Sequence, residues 1–311
     1  MESSSEKFKI IYQVLQEENN LLSVTILCDI AGVSRSGYYR WASTSAQKKR
    51  DEKEKNDQAD FALMIKAYHY RGYNKGAKGI YMRLLHEEPP IRMNIKKIRR
   101  LMQKYNLLCP IRKANPYRRM AKALRTNNVA GNILNREFAL HDPRTVLLTD
   151  ITYIPYNGVF SYLSTILDAF TKQILSYVLS DSLEVDFVLE TVNRVVKTHE
   201  LSLASNTLIH SDQGCHYTSC SFIQLIKDKG LRQSMSRKGN CWDNAPQESF
   251  FGHMKEEIDM SSCKTFEQVK TTIDDWMDYY NNERYQWQLA KLSPNEYYQY
   301  FMTGVYPLKD I

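Results

Sequence analysis

The chain has 311 residues, of which 43% are hydrophobic and 25% are charged, and its formal net charge is +7. These values are typical of a soluble globular protein with two or three domains, and no apolar run approaches the roughly 18–20 residues of a membrane span. The first residues do not resemble a secretory signal and the six cysteines form no Cys-x-x-Cys pair, so we expect a cytoplasmic protein without a disulfide framework or a structural zinc site.

The charge is distributed unevenly along the chain. Residues 1–142 carry 27 Lys and Arg against 14 Asp and Glu, a balance of +13, whereas residues 143–311 carry 15 against 21, a balance of −6. Within residues 70–125 there are 16 basic side chains, and the only acids are Glu87 and Glu88. A merely solubilising surface intersperses both signs, so this block predicts contact with a polyanion such as nucleic acid.

The N-terminal region predicts a small all-α domain, residues 1–47. Residues 6–22 have helical spacing, and two short helical segments follow around Ala31–Ser34, where Gly32 supplies a turn and Ser34 can cap the second helix. This pattern is a helix-turn-helix signature that presents Arg35 to DNA, although short helical hairpins also occur in unrelated proteins. The charged run 48–57 is interpreted as a charged linker between domains, either helical or extended, with a solvated surface.

Residues 58–109 predict a second basic helical domain. Within it, residues 95–102 place apolar side chains on one face of a helix and basic side chains on the other. The candidate DNA contacts of this domain are Arg71, Lys96, Arg99 and Arg100. Residues 110–142, with prolines and many bases, are interpreted as a basic linker that becomes ordered on DNA.

From about Thr145 the periodicity changes from helix to strand. The pattern predicts strands at 145–155, 160–168, 172–180, 207–210 and 231–236, with a turn at Asn157-Gly158, and helices at 183–199, 218–229, 247–258 and 265–283. Three strands followed by helix, strand, helix, strand and helix predict a mixed α/β, RNase H-like core, residues 143–311, with helices at its C-terminal end.

Three acids in this core are candidates for one site. Asp150 lies on a strand face that is otherwise apolar, Asp212 directly follows a strand, and Glu248 lies in the first turn of a helix. A charge on an apolar face needs a partner, and carboxylates from separate elements suit the binding of two Mg²⁺ ions for phosphoryl transfer. Each acid alone is more simply a cap or a surface charge, and Glu248 could be favoured by the helix dipole.

Basic residues near these acids are further candidates. Lys255 lies two helical turns beyond Glu248 on the same face, where it can meet DNA phosphates. The loop 236–240 carries Arg237 and Lys238 and is predicted to grip the strand that is cut. Asp168 is a fourth acid near the sheet, and we interpret it as structural or as a support for the site rather than as a ligand.

The motifs around these residues resemble those of a known family. Asp150 lies in Thr-Asp-Ile-Thr-Tyr-Ile, Asp212 in His-Ser-Asp-Gln-Gly-Cys-His-Tyr-Thr-Ser, and Glu248 in Asp-Asn-Ala-Pro-Gln-Glu-Ser-Phe-Phe, with 35 residues between Asp212 and Glu248. Together with Lys255 and the closing segment Tyr-Tyr-Asn-Asn-Glu-Arg, residues 279–284, they resemble the second-frame (OrfB) product of insertion-sequence transposases of the IS-three family. That family lies within the DDE transposase and retroviral integrase superfamily, and the likeness covers nearly the whole chain.

This resemblance implies a DNA transposase with Asp150, Asp212 and Glu248 as catalytic, metal-binding residues. The implied cofactor is Mg²⁺, with Mn²⁺ as a substitute. The implied partners are double-stranded DNA, both inverted-repeat ends and target, a homo-oligomer on that DNA, and the first-frame (OrfA) product or a frameshift fusion with it. The implied location is the bacterial cytoplasm at the nucleoid. Position 213 is Gln where the family frequently has Arg.

Two other functions remain open from the sequence. One is a helix-turn-helix regulator with an inactive core, which the intact set of acids disfavours. The other is an RNase H-type nuclease that cuts without joining, which the basic N-terminal half disfavours.

Overall fold

The computed structural model describes residues 3–109, 130–134, 141–199, 202–204, 206–237 and 241–308. The chain divides into two compact units, Met1–Ala67 and Tyr68–Ile311. Most of the predicted basic linker 110–142 lies outside the described residues, and so does Lys238. Among the helices that are described, none combines the length and the apolarity needed to cross a bilayer.

The first unit consists of short helices around a small apolar core and most of one long helix. The helices are α1 (Ser4–Leu15), α2 (Val24–Ala31), α3 (Arg35–Ala42) and α4 (Thr44–Tyr68). Gly32 ends α2 in the left-handed conformation, with φ of 64°, and the Ser34 hydroxyl accepts a hydrogen bond from the Gly37 N–H at the start of α3. The turn between two short helices is therefore formed by the two residues that the sequence indicates.

One element of this unit differs from the sequence-based expectation, and the structure decides between two alternatives for another. Helix α1 ends at Leu15 rather than near residue 22, and the Asn20 side chain then accepts from the Leu22 N–H at 2.9 Å, a local turn that competes with helix. The charged run 48–57, for which the sequence left a helix and a linker open, is helical throughout as part of α4. Its Lys, Arg and Glu residues are good helix formers, so a polar composition here does not interrupt the helix.

The second unit begins with a helical region, residues 68–109, that contains α5 (Ala77–Leu85) and α6 (Ile95–Lys104). Asn94 caps α6 by accepting from the Lys96 N–H at 2.8 Å. On α6 the apolar stripe is buried at Ile98 and Leu101, whereas the basic residues face outward, as the amphipathic pattern predicts.

A five-stranded mixed sheet forms the centre of the second unit. Its strands are β1 (Val146–Tyr156), β2 (Val159–Asp168), β3 (Ile174–Ser180), β4 (Leu208–Ser211) and β5 (Arg232–Met235), in the order β3-β2-β1-β4-β5. The first three strands are antiparallel, while β4 pairs parallel with β1 and β5 pairs parallel with β4. Asn157 and Gly158 join β1 to β2 with φ of 42° and 78°, the positive values that a tight hairpin turn requires.

Helices cover both faces of the sheet. They are α7 (Asp186–His199), α8 (Cys220–Asp228), α9 (Ala245–Glu257), α10 (Phe266–Asn282) and α11 (Pro294–Thr303). Alternate residues of β1 point to opposite sides, so Leu147 belongs to the core shared with α7 and α8, and Leu148 to the core shared with α9 and α10. The fold is the predicted mixed α/β, RNase H-like core, which follows the helical N-terminal domains along the chain.

Both outer strands of the sheet are contacted by other segments of the chain. Along β5, the Met235 N–H donates to the Gly131 carbonyl and the Ile133 N–H donates to the Ser234 hydroxyl. On β3, the Asn281 side chain of α10 accepts from the Ile174 N–H and donates to the Ile174 carbonyl, both at 2.9 Å. The sheet therefore presents little unpaired backbone at these positions.

Candidate active site

Asp150 lies in the middle of the central strand β1, where the strand pairing fixes its neighbours. Across β2 it lies directly opposite Thr165. On its other side, the last residues paired between β1 and β4 are Leu148 and His210, and the same offset continued by two residues, into the loop after β4, would bring Asp212 level with Asp150. Neighbouring strands lie about 4.8 Å apart, so two acids 62 positions apart in sequence come to adjacent places at one edge of the fold.

Asp212 begins the loop that leaves β4. Its Oδ1 accepts a hydrogen bond from the Gly214 N–H at 2.8 Å. A Cβ on Gly214 would lie 2.9 Å from that same oxygen, so only glycine lets the backbone approach the carboxylate this closely. The glycine in the Asp-Gln-Gly motif thus holds the Asp212 carboxylate in place.

Glu248 reaches the site because helix α9 is attached to the sheet one residue earlier. The Gln247 side chain is fully buried, and its amide donates to the hydroxyl of Thr165, the residue opposite Asp150. Pro246 lies in the first turn of α9, where its fixed φ favours helix initiation. Glu248, the residue after Gln247, is half-buried in this first turn.

The pKa of Asp150 reflects its burial and the charges of the other two acids. Burial is the largest cause that raises the pKa of Asp150, and the negative charge of Asp212 raises it further, with a smaller contribution from Glu248. The charge of Lys255 and a hydrogen bond from the Ile151 N–H act in the opposite direction. The pKa of Asp212 is also raised, through partial loss of solvation, while the Gly214 N–H and His216 oppose that rise. Like charges crowded in this way are stabilised by a cation.

The donors at this site fit a hard divalent cation. Mg²⁺ binds through one or two carboxylates and keeps water and phosphate oxygens as its other ligands, so Asp150 and Asp212 provide a sufficient protein contribution. Glu248 supplies a third carboxylate whose charge acts on Asp150. In the part of the chain that the structure describes, no group of three His, Cys, Asp or Glu side chains is arranged so that it could hold a metal ion together, and this includes the three acids.

Lys255 is exposed on α9, two turns beyond Glu248. Its positive charge lowers the pKa of Asp150, so it lies within electrostatic reach of the acids. It also borders an apolar cavity of about 360 Å³ whose walls include Ile154 and Met254.

His210 lies beside the site, and the sequence did not indicate its role. It is fully buried on β4, where Nδ1 contacts the Ser234 hydroxyl at 2.9 Å and Nε2 contacts the Ser236 hydroxyl at 3.0 Å. Burial lowers the pKa of His210 to about 4, against a smaller opposing effect of Asp243. A neutral imidazole that joins β4 to β5 is a structural group, not a proton donor at neutral pH.

Asp243 is a second residue whose role the sequence left unassigned. Its buried carboxylate accepts from the Arg237 N–H, Nε and Nη2, each at 2.9 Å, and from the Asn132 side-chain amide at 3.0 Å. Arg237, predicted to contact DNA, is therefore held against the protein, although about half of its side chain is exposed. Neighbouring Lys238 lies outside the described residues.

Asp168 is enclosed by donors rather than directed at the acids. Its carboxylate is buried and accepts from the backbone N–H groups of Arg144, Phe170 and Thr171, and from the Arg144 guanidinium at 3.4 Å. These contacts close the turn after β2, in line with the structural interpretation of this acid.

The remaining predicted DNA contacts differ in their accessibility. On α6, Lys96, Arg99 and Arg100 are exposed. In the first unit Arg35 is exposed at the start of α3, with Nη1 3.4 Å from the Thr25 hydroxyl. Arg71, by contrast, forms ion pairs with Asp278 at 3.2 Å and with Glu283 at 2.6 Å. In this conformation its charge is balanced within the protein.

Comparisons with known families agree with this architecture. Residues 55–115 match the model of an HTH-like domain, and two models of an integrase core domain match residues 141–241 and 229–294. The described acids Asp150, Asp212 and Glu248 lie within the integrase matches.

Two curated relatives are similar over most of their own lengths. A putative transposase InsK for insertion sequence element IS150 from Escherichia coli is 31% identical over 288 residues, 92% of this chain and 96% of the relative. An uncharacterized transposase-like protein from Haemophilus influenzae is 35% identical over 210 residues, 67% of this chain and 94% of the relative. Among solved structures, the catalytic core domain of HTLV-2 integrase in complex with magnesium is 13% identical, with a TM-score of 0.37 over 50% of this chain and 97% of that one.

A helix-turn-helix region followed by an integrase core defines a DNA transposase, an enzyme of the polynucleotidyl transferase class. Within that class, the chain belongs to the IS-three family of insertion-sequence transposases, in the DDE superfamily.

Proposed function

We propose that this transposase binds the ends of an insertion sequence and that Asp150, Asp212 and Glu248 hold the divalent cations used for 3′-end cleavage and strand transfer. The proposal is supported by the way Asp212 and Glu248 relate to Asp150: both of their charges act on Asp150, Asp212 directly follows the strand paired with β1, and α9 is fastened to the residue opposite Asp150. Their mutual repulsion, which raises the pKa of Asp150, supports a site made for a cation.

Each acid has a distinct part in this proposal. Asp150 on β1 and Asp212, which directly follows the neighbouring strand β4, form the shared pair of ligands, while Glu248 adds a carboxylate from α9. Bound Mg²⁺ supplies charge neutralisation at the scissile phosphate and activation of the attacking hydroxyl of water or of the DNA 3′ end. The strand pairing of β1 fixes the position of Asp150, the Gly214 N–H holds the carboxylate of Asp212, and Lys255 on α9 binds a DNA phosphate beside them.

The exposed basic residues provide the proposed DNA contacts. Lys96, Arg99 and Arg100 on the outward face of α6, and Arg35 on α3, are exposed and carry positive charge toward solvent. Phosphate contacts of this type release counterions, so binding of a duplex weakens steeply with salt. Self-association on DNA and association with the first-frame product belong to the same proposal, and light scattering of the protein–DNA complex measures them.

A labelled duplex that carries a terminal repeat flanking the coding region tests the proposal. With Mg²⁺ or Mn²⁺ we expect nicks at the 3′ end and joined products, and Asp150→Asn, Asp212→Asn and Glu248→Gln each lose at least about 10³-fold in rate, since several kcal/mol of charge stabilisation disappear. The matched control is Glu267→Gln, because Glu267 is also a first-turn glutamate, of α10, but is exposed.

The outcomes separate the alternatives. Nicks without joined products indicate an RNase H-type nuclease, and duplex binding without either product indicates a regulator with an inactive core. If Glu248→Gln retains wild-type rates while binding DNA, Glu248 is only a charge at a helix N-terminus and its assignment is wrong.

A further inference from the structure

The closing segment Tyr279–Arg284 has a sequence that resembles a family motif, but the acids and DNA contacts described above give it no role. It ends α10 far from Asp150 in sequence. Its last two side chains extend to different parts of the molecule. Glu283 pairs with Arg71 of the helical region 68–109, and Arg284 pairs with Glu257 at the end of α9.

The contact of Glu283 with Arg71 is held from both sides. Arg71 Nη2 lies 2.6 Å from Glu283 Oε1, and Nη1 lies 3.2 Å from Asp278 Oδ2. The backbone of Arg71 is left-handed, with φ of 54°, and Gly72 follows with φ of 76°. A left-handed arginine is strained and persists where surrounding contacts fix it, and here the contacts are two acids of α10 and its end.

The contact of Arg284 with Glu257 links the closing segment to α9, the helix that carries Glu248. The guanidinium donates from Nη2 to Glu257 Oε1 at 2.9 Å and from Nε to both carboxylate oxygens, and the Trp276 indole N–H donates to Oε2 at 3.1 Å. Both members of the ion pair are more than four-fifths buried. Glu257 is the last residue of α9, the helix that begins near Glu248.

Aromatic packing joins the two ion pairs. The ring of Tyr279 lies 4.4 Å from that of Tyr73, next to Arg71, and is almost fully buried. A second group of contacts lies further along, where the ring of His86 stacks on that of Tyr285 at 3.5 Å and Arg83 donates to the Tyr285 hydroxyl. The helical region 68–109 is therefore seated on the C-terminal helices through several independent contacts.

We propose that the closing segment is a clamp that holds the helical region 68–109 at a fixed position relative to α9, with Arg71 and Glu283 as positioning residues. Exposed α6 and the acid at the start of α9 are then parts of one rigid body. The distance between the DNA bound on α6 and the acids selects which phosphodiester is cut. This inference rests on the proposed function of the acids and of α6.

The clamp gives Arg71 a different role from a DNA contact, and a charge exchange distinguishes the two. In the clamp, Arg71→Glu is repaired by Glu283→Arg, because the pair is restored with opposite polarity. As a DNA contact, Arg71→Glu is not repaired, since a carboxylate at position 71 repels phosphate whatever occupies position 283. The variants are made in an Asp278→Asn parent, because Asp278 would otherwise repel a glutamate at position 71.

The primary measurement is the position of the 3′ nick on the labelled end duplex with Mg²⁺. A misplacement of about 1 Å can lower a rate about 10²-fold, so we expect Arg71→Glu and Glu283→Arg each to lower cleavage at the parent's position by about tenfold or more and to spread nicks over neighbouring positions. The double variant restores one sharp position. Duplex affinity of the double variant equals that of the parent.

Amide hydrogen exchange of residues 68–109 without DNA is the second measurement. Each single charge reversal increases exchange there and the double variant reverses the increase. The control combines Glu283→Arg with Arg99→Glu, a charge reversal at an exposed residue of α6. We expect this combination to leave the increased exchange of Glu283→Arg unchanged.

The clamp is refuted if Arg71→Glu leaves both the nick position and the exchange unchanged, or if the double variant is no better than the single ones. Loss of affinity that Glu283→Arg does not repair assigns Arg71 to DNA instead. If the wild-type protein makes no nicks, the proposed function has failed, and the exchange experiment alone decides the clamp.

Discussion

Gly214 lies so close to Asp212 that the two residues act as one unit: the glycine N–H donates to Oδ1 at 2.8 Å, and a Cβ would come within 2.9 Å of that oxygen. Real Cβ atoms do not approach oxygen this closely, so any side chain at position 214 displaces the carboxylate.

We therefore expect Gly214→Ala to lower the rate of DNA cleavage about 10²-fold, because a displaced ligand lies outside productive geometry. Duplex affinity without metal should remain at the wild-type value. The control is Gly131→Ala, where an added Cβ meets nothing within 4 Å. Cleavage at wild-type rate in Gly214→Ala shows that the site tolerates the shift and that this contact is not needed.

The hydroxyl of Thr165 fastens α9 to the sheet through Gln247, and both side chains are fully buried. Thr165→Val removes the acceptor and leaves a buried amide unpaired, so we expect a loss of about 1–3 kcal/mol in the free energy of unfolding and slower cleavage. Thr165→Ser keeps the hydroxyl, so it should retain most of the free energy of unfolding and most of the cleavage rate. Denaturant unfolding and cleavage assays compare the two variants. Equal unfolding free energies and equal cleavage rates of Thr165→Val and Thr165→Ser contradict the role of the hydroxyl in fastening α9.

Asp150 is surrounded by like charge, so its ionised form destabilises the protein when no cation is present. In EDTA at neutral pH, Asp150→Asn should be at least as stable as the wild type. At a Mg²⁺ concentration about 100 times Kd, wild type gains about 2.7 kcal/mol, a rise of several degrees in Tm, and the variant gains little. Equal Mg²⁺ stabilisation of the two proteins, measured by calorimetry, places the cation elsewhere.

His210 makes stability depend on pH. Its folded-state pKa of about 4 lies below its ordinary value of 6.5, so the unfolded chain takes up a proton first as the pH falls. Stability is therefore lost between about pH 6.5 and pH 4, by about 3 kcal/mol in total. His210→Asn lacks this loss, so its unfolding free energy should have a shallower slope in that window. Parallel curves for the two proteins show that the imidazole does not stay neutral in the fold.

Much of the core follows from local sequence patterns. Alternation along Thr145–Pro155 predicts β1 and the face of Asp150, because side chains of a strand alternate strictly between its two sides. The Asn157-Gly158 turn follows from its two residues, both of which tolerate positive φ. The order of strands and helices then indicates which acids lie near one edge, while the two-residue extension of the β1–β4 register becomes visible only with the strands paired.

Long-range partners lie beyond such patterns. Arg71 was predicted to contact DNA because its neighbourhood is basic, but the acids that it contacts are 207 and 212 positions away. Likewise, nothing near Arg237 in sequence reveals that Asp243 is fully buried, and hence that the pair holds the loop. Composition identifies a charge, whereas its partner depends on tertiary packing.

The covered margins of the sheet restrict how copies of this enzyme can assemble. With residues 130–134 bonded along β5 and Asn281 bonded to β3, neither margin offers a free row of backbone donors and acceptors at these positions. A strand from another molecule therefore cannot pair with the backbone of Met235 or Ile174 without displacing these contacts. Covered strand edges of this kind also disfavour aggregation through edge-to-edge pairing of strands.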